Sequence, residues 1–89
     1  MTDFSNMKFE AEDGIYFSAN INEVEREFFL DISLLEDLTS KKSISNRGVA
    51  LTLFHSLRSS IYIMCINAVK KNPNWASDKS LPLLKEYLR

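Results

Sequence analysis

Residues 47 to 71, RGVALTLFHSLRSSIYIMCINAVKK, carry an apolar stripe that no fold of this chain can leave uncovered. Ala50, Leu53, Phe54, Leu57, Ile61, Met64, Cys65 and Ala68 recur at helical spacing. The spacing predicts one helix from about Arg47 to Lys71, roughly 24 residues or ~36 Å long. Ser45 or Asn46 can cap its start, and Asn72-Pro73 ends it, because the residue before proline avoids the helical region. Lys70 and Lys71 complement the negative end of the dipole. The two halves differ. Thr52, His55, Ser56 and Ser59 give the first half a back face suited to water. In the second half Ile63, Ile66 and Val69 make IYIMCINAV apolar almost all round. A helix apolar on every side expects cover on every side.

A sheet supplies the first cover. In MKFEAEDGIYFSANI, Met7–Glu10 and Ile15–Ile21 are candidate strands, and Glu12-Asp13-Gly14 between them is a turn signal. Ile15, Phe17, Ala19 and Ile21 point one way, and Tyr16, Ser18 and Asn20 the other. The stretch EREFFLDISLLEDL that follows fits two periods. As a strand it turns Phe28, Leu30 and Ile32 inward and Glu27, Phe29 and Asp31 outward. As a helix it would be capped by Asn22 with Glu25 at the third position. A second capping box, Ser33 with Glu36, favours a strand that stops at Ile32 and a short helix near 34–40. Inside one long helix that signal would be wasted.

The back of the long helix needs a second cover. In NPNWASDKSLPLLKEYLR, Ser80 can cap a short helix over 81–88 with Pro82 in its first turn. Folded back, it would bury Ile63 and Ile66 under Trp75. The other cover is a second copy of the chain, because exposed apolar patches commonly mark interfaces.

Composition narrows the function classes. The 89 residues suffice for one domain, 1–89, with a core over 7–71 and a C-terminal extension over 72–89. A net charge of -1 gives no basic excess, which lowers the expectation of nucleic-acid binding. The lone Cys65 allows no internal disulfide, and MTDFSNMKFE has neither the basic start nor the apolar run of a secretory signal. IYIMCINAV is far shorter than the ~20 residues of a membrane span. These features fit a cytoplasmic protein without a membrane partner.

Catalytic constellations are not legible. On one straight helix His55 and Cys65 would lie ~15 Å apart along the axis, too far for a nucleophile and its base. Cys65 falls on the core stripe, and His55 on the polar back face. Zinc needs about four ligands, mainly Cys and His, and the chain has one of each. Glu23, Glu25 and Glu27 lack the spacing of a calcium loop. Two glycines, Gly14 and Gly48, make no phosphate cradle. No cofactor is expected. Lys41, Lys42 and Arg47 beside a helix N-terminus are the candidate anion-binding residues. Arg58, at the edge of the stripe, is expected to pair with Glu36 or Asp37.

The segments MKFEAEDGIYFSANI, FFLDISLLEDL and FHSLRSSI, with Phe54, Arg58 and Ile61 at family spacing, resemble the YrdB-like domain-of-unknown-function family of small bacterial proteins. The likeness covers roughly residues 7 to 70. It implies an α+β fold and brings no activity or catalytic residue. Two departures stand out: Cys65 where such helices often carry Ala, and the segment after Pro73, which looks like an addition.

The sequence therefore predicts an α+β fold: a small antiparallel sheet of about three strands packed on one long helix, with short helices near 34–40 and 81–88. The alternative is all-α, with 22–40 as one helix. The expected function is a non-enzymatic protein-interaction module, partnered by another protein or by itself as a homodimer. Its candidate surface is Phe29, Tyr62, Ile63, Ile66 and Trp75. The alternative is anion or nucleic-acid binding through Lys41, Lys42 and Arg47.

Overall fold

A computed structural model describes residues 4–10, 12–40, 44, 46–75 and 79–88. Three strands come first: β1 (Phe4–Glu10), β2 (Gly14–Ile21) and β3 (Val24–Asp31). Three helices follow: α1 (Ile32–Thr39), α2 (Arg47–Ser56) and α3 (Arg58–Lys71). The chain ends in a two-residue strand, β4 (Leu81–Pro82), and a 3-10 turn, Lys85–Leu88. The sheet order is β1-β2-β3-β4, antiparallel except for the parallel β3–β4 contact. The α+β class holds, and the sheet gains a short fourth strand.

The β2–β3 hairpin is in full register from Gly14↔Asp31 to Ile21↔Val24. Only Asn22 and Glu23 turn the chain, both at positive φ (54° and 68°), the turn whose twist matches that of paired strands. The predicted loop NEVE therefore shrinks to two residues. Ile15, Phe17, Ala19 and Ile21 are buried, as are Phe28 and Leu30 opposite them. β1 reaches back to Phe4 and bulges between Ser5 and Lys8, with Asn6 at φ 53°. At the other hairpin Gly14 has φ 155°, and a Cβ there would lie 2.1 Å from the Leu30 carbonyl oxygen. Only glycine fits that approach.

EREFFLDISLLEDL is a strand followed by a helix. The cap differs from the expectation: Asp31, not Ser33, accepts from the Ser33 backbone N–H at 2.7 Å. Asp31 sits at the last extended residue, where its short carboxylate reaches the first turn. Glu36 does not complete a box; it accepts from the Ile44 N–H at 2.7 Å and ties Ile44 to α1.

The predicted single long helix is corrected. It breaks at Leu57 (φ -104°, ψ 11°), and α2 and α3 are bent by 77°. Ser56 Oγ donates to the Leu53 carbonyl at 2.7 Å, Arg58 Nη1 donates to the His55 carbonyl at 3.0 Å, and the Leu57 N–H is shared between Leu53 and Phe54. The Arg58 bond and the shared Leu57 N–H serve the His55 and Phe54 carbonyls at the break, and Ser56 adds a second donor to Leu53. Packing gives the reason for the bend. A straight ~36 Å helix would overrun an eight-residue strand of ~26 Å by about 10 Å, a little over a quarter of its length. Bent, α2 buries Ala50 and Phe54 while α3 buries Ile61, Met64, Cys65 and Ala68 in the same core. Arg58 is correspondingly not the partner of Glu36 or Asp37; Asp37 instead meets Lys85 at 2.7 Å. No single helix among the described residues is long and apolar enough to cross a membrane.

The predicted helix over 81–88 is also corrected. Leu81 pairs with Phe28 and Pro82 with Phe29, and the Leu83 N–H donates to the Phe29 carbonyl at 2.9 Å. Leu81 and Leu83 are buried while Leu84 is 44% exposed. Pro82, which lacks an N–H, stands on the sheet edge, where no donor is needed on its outer side. The 3-10 turn then lies along α3, where Asn67 donates to the Tyr87 carbonyl and Asn72 to the Tyr87 hydroxyl at 3.2 Å.

Gly14→Ala must displace the Leu30 carbonyl and the hairpin register with it. We expect a loss of about 3 kcal/mol or more in unfolding free energy, at the severe end for one substitution, measured by urea titration.

Candidate interaction surfaces

The outer side of α3, opposite its buried stripe, brings Tyr62, Ile63 and Ile66 together through their i, i+3 and i+4 spacing. Ile63 is 47% exposed, and Tyr62 and Ile66 are half-buried. Exposed Arg58 and Lys70 stand toward the two ends of this strip. The C-terminal segment takes a different side of the helix, the one bearing Asn67 and Lys71, whose ammonium lies 5.8 Å from the centre of the Tyr87 ring. The expected burial of Ile63 beneath Trp75 does not occur. Trp75 is half-buried against the core, and its indole N–H donates to the Lys79 carbonyl at 3.0 Å.

Phe29 belongs to another surface, the face of the sheet turned away from the helices. Its ring lies 4.6 Å from that of Tyr16, centre to centre, tilted by 37°. The same alternation that buries Phe28 and Leu30 turns Glu25, Glu27, Phe29 and Asp31 outward. Asn6, Lys8, Glu10, Asp13, Tyr16 and Glu27 line an open hollow of about 380 Å³ there. Several polar groups in and around it are paired. Asn6 Nδ2 donates to Ser18 Oγ at 3.4 Å, Ser5 Oγ donates to Glu25 at 3.4 Å, and Ser80 Oγ donates to Glu27. Lys8 meets Glu10 at 3.0 Å, and this hydrogen bond, with the carboxylate's charge, holds the Lys8 amine above its ordinary pKa. Sequence reasoning named Phe29 but missed the hollow. The signal was present in the alternating set Tyr16, Ser18, Glu25, Glu27, yet the partners from β1 depend on a bulge that no period announces.

Of the candidate anion-binding residues, Lys41 and Lys42 lie outside the described residues. Arg47 is exposed at the first position of α2, where Asn46 Oδ1 already accepts from the Val49 N–H at 3.2 Å. An apolar hollow of about 390 Å³ beside it is lined by Asn46, Gly48, Val49, Thr52 and Leu53. Among the described residues no cation lines it.

Cys65 and His55 are placed by different constraints. His55 is exposed, its ring edge-on to Phe54 with centres 6.1 Å apart. Cys65 is buried in the core, and burial pushes its thiol well above the ordinary value, since a thiolate there would lose its hydration. Among the described residues no three His, Cys, Asp or Glu side chains form a group that could hold a metal ion.

The thiol gives a direct test. The raised pKa favours the folded state only while the thiol is neutral, so the sign is fixed. Cys65 costs no stability below the unfolded thiol's pKa, and stability falls as pH rises above it. We expect a disulfide reagent at about pH 8 to leave the native thiol unmodified. In denaturant it should titrate one thiol per chain.

No protein-family model matches the chain, and no curated protein matches it. A solved structure does. It is a protein of unknown function from the DUF1488 family of Shewanella loihica PV-4, with a TM-score of 0.65 and 19% sequence identity. The match covers 92% of this chain and 90% of that one. At that identity the likeness shows the fold. The neighbour is itself from an uncharacterised domain family, and nothing in the match carries the YrdB-like name. The chain thus shares the α+β architecture of a protein whose own function is unknown.

Proposed function

We propose that this chain is a small cytoplasmic, non-enzymatic protein-interaction module that binds its partner through the outer side of α3. One observation carries the reading: Ile63 remains 47% exposed at the centre of an apolar strip flanked by cations, after the C-terminal segment has folded along another side of the helix. Contiguous exposed apolar area of this kind commonly marks an interface. Interface centres favour such aromatic and aliphatic groups, and rims favour the charges that flank them. The anion-binding alternative keeps only Arg47 among the described residues, and no observation favours it.

Ile63→Glu tests the reading. The side chain is on the surface, so the thermal midpoint and far-UV circular dichroism should stay close to wild type. Capture of a partner, or self-association in sedimentation, should fall by an order of magnitude or more, as at an interface hot spot. Ile66→Glu should act in the same direction with some loss of stability, because Ile66 also packs against the core. Unchanged binding in both variants would discard the α3 surface.

A further inference from the structure

The chain is split electrically along its length. Residues 1–40 hold ten acidic and two basic side chains, and residues 41–89 hold two acidic and nine basic ones. The first part forms β1, β2, β3 and α1; Glu36 and Asp37 lie on α1, where Asp37 meets Lys85, and the strands carry acidic residues onto the outer face of the sheet. The outer face of the sheet carries Glu10, Glu25 and Glu27 around Tyr16 and Phe29, and its one lysine, Lys8, is already paired with Glu10. The outer side of α3 carries Arg58 and Lys70 around Tyr62, Ile63 and Ile66.

We propose that a second copy of this chain lays the outer side of its α3, with Ile63 between Arg58 and Lys70, on the acidic, aromatic outer face of the sheet, so that copies associate head to tail. The proposal rests on the interaction reading of α3 and adds the identity of the partner. The two surfaces match in charge and in apolar content. The Tyr16–Phe29 ring pair stands on that face, and a ring meeting Arg58 or Lys70 would add an attraction that strengthens as water leaves. They match in size as well: Arg58 to Lys70 spans ~18 Å of helix, and the strands below run ~26 Å.

Symmetric pairing is disfavoured on both sides. Two α3 faces brought together would oppose Arg58 and Lys70 to their own copies, and two sheet faces would oppose Glu25 and Glu27. Pairing through the sheet edges meets the bulge at Asn6 on one side and Pro82 on the other. Head-to-tail contact alone joins unlike charges. The two faces lie on opposite layers of the molecule, so one contact leaves a free surface of each kind, and growth does not stop at two copies.

Sedimentation tests this with full-length chains. Wild type should show mass rising with concentration beyond a dimer, with association weakened on the order of tenfold between low and high salt. Ile63→Glu disables the helix surface, and Glu25→Lys/Glu27→Lys disables the sheet surface. Circular dichroism checks that each is folded, and each alone should remain monomeric. Mixed in equal amounts they should form a species with one copy of each and nothing larger, since one competent interface survives. A mixture that stays monomeric while wild type associates overturns the head-to-tail arrangement. Wild type that stays monomeric at ~1 mM in low salt overturns self-docking altogether. If that monomer still captures another protein and loses it in Ile63→Glu, the interaction reading stands alone. If Ile63→Glu alters nothing, both fall.

Discussion

Phe17 holds the two layers together. Its ring meets Phe4 of β1 at 5.2 Å, Phe28 of β3 at 5.7 Å and Phe54 of α2 at 4.9 Å, centre to centre. Phe4 and Phe54 close the group at 5.1 Å. Three of the four contacts are edge-on, the arrangement that sets the positive rim of one ring against the negative face of another. Three strands and one helix are thus fixed relative to one side chain. The inward set of β2 follows from it, because a one-residue slip would send Phe17 outward along with Ile15, Ala19 and Ile21. Gly14 and the Asn22-Glu23 turn guard that register from the two ends.

The bend at Leu57 is the second consequence. Phe54 must point at Phe17 while Ile61, Met64, Cys65 and Ala68 reach the rest of the same core. A straight helix would string these residues along one line of ~21 Å from Phe54 to Ala68. With the axis turned by 77° both sets lie in one core, and carbonyls at the turn accept from Ser56 and Arg58. The bend also decides which groups remain outside. With α3 packed by one stripe and flanked by the Tyr87 turn, the side bearing Ile63 has no covering element among the described residues.

Much of this was legible wherever a single period governed a segment. The β2 alternation identified every inward residue, and the tension between strand and helix in residues 25–38 resolved at a real boundary. The misreadings share one physical origin: local rules fit, and tertiary packing chose otherwise. The stripe over 47–71 is continuous at helical spacing, and nothing local announces the bend at Leu57. Residues 80–84 satisfy an N-cap and a first-turn proline, yet Leu81 and Leu83 alternate with Pro82 and Leu84, and the open edge of β3 selects that second pattern. Asp31 and Ser33 were both competent caps, and the strand's end point selected Asp31. For the surfaces, Ile63 was identified through the shortage of cover, and Phe29 through its outward place on β3. What stayed hidden was that they belong to opposite layers.

That separation bears on what a two-layer domain of this size can do. A third layer would cover the outer sheet face with helices, and its strands would then read as apolar on both sides. Here β2 and β3 place Tyr16, Ser18, Glu25 and Glu27 on that side. The face is therefore built to meet water or a polar partner, with Phe29 sheltered by Tyr16 rather than by a lid. The outer side of α3 has the opposite character, with Arg58 and Lys70 toward its ends and aliphatic Ile63 at its centre. A near-neutral total charge hides this polarity, since a mean over the whole chain averages two surfaces of opposite sign. Net charge alone thus argued against nucleic acid and said nothing about partners. The distribution of charge over the two faces is the quantity that bears on binding, and it becomes readable only when the strands and helices have been assigned to their layers.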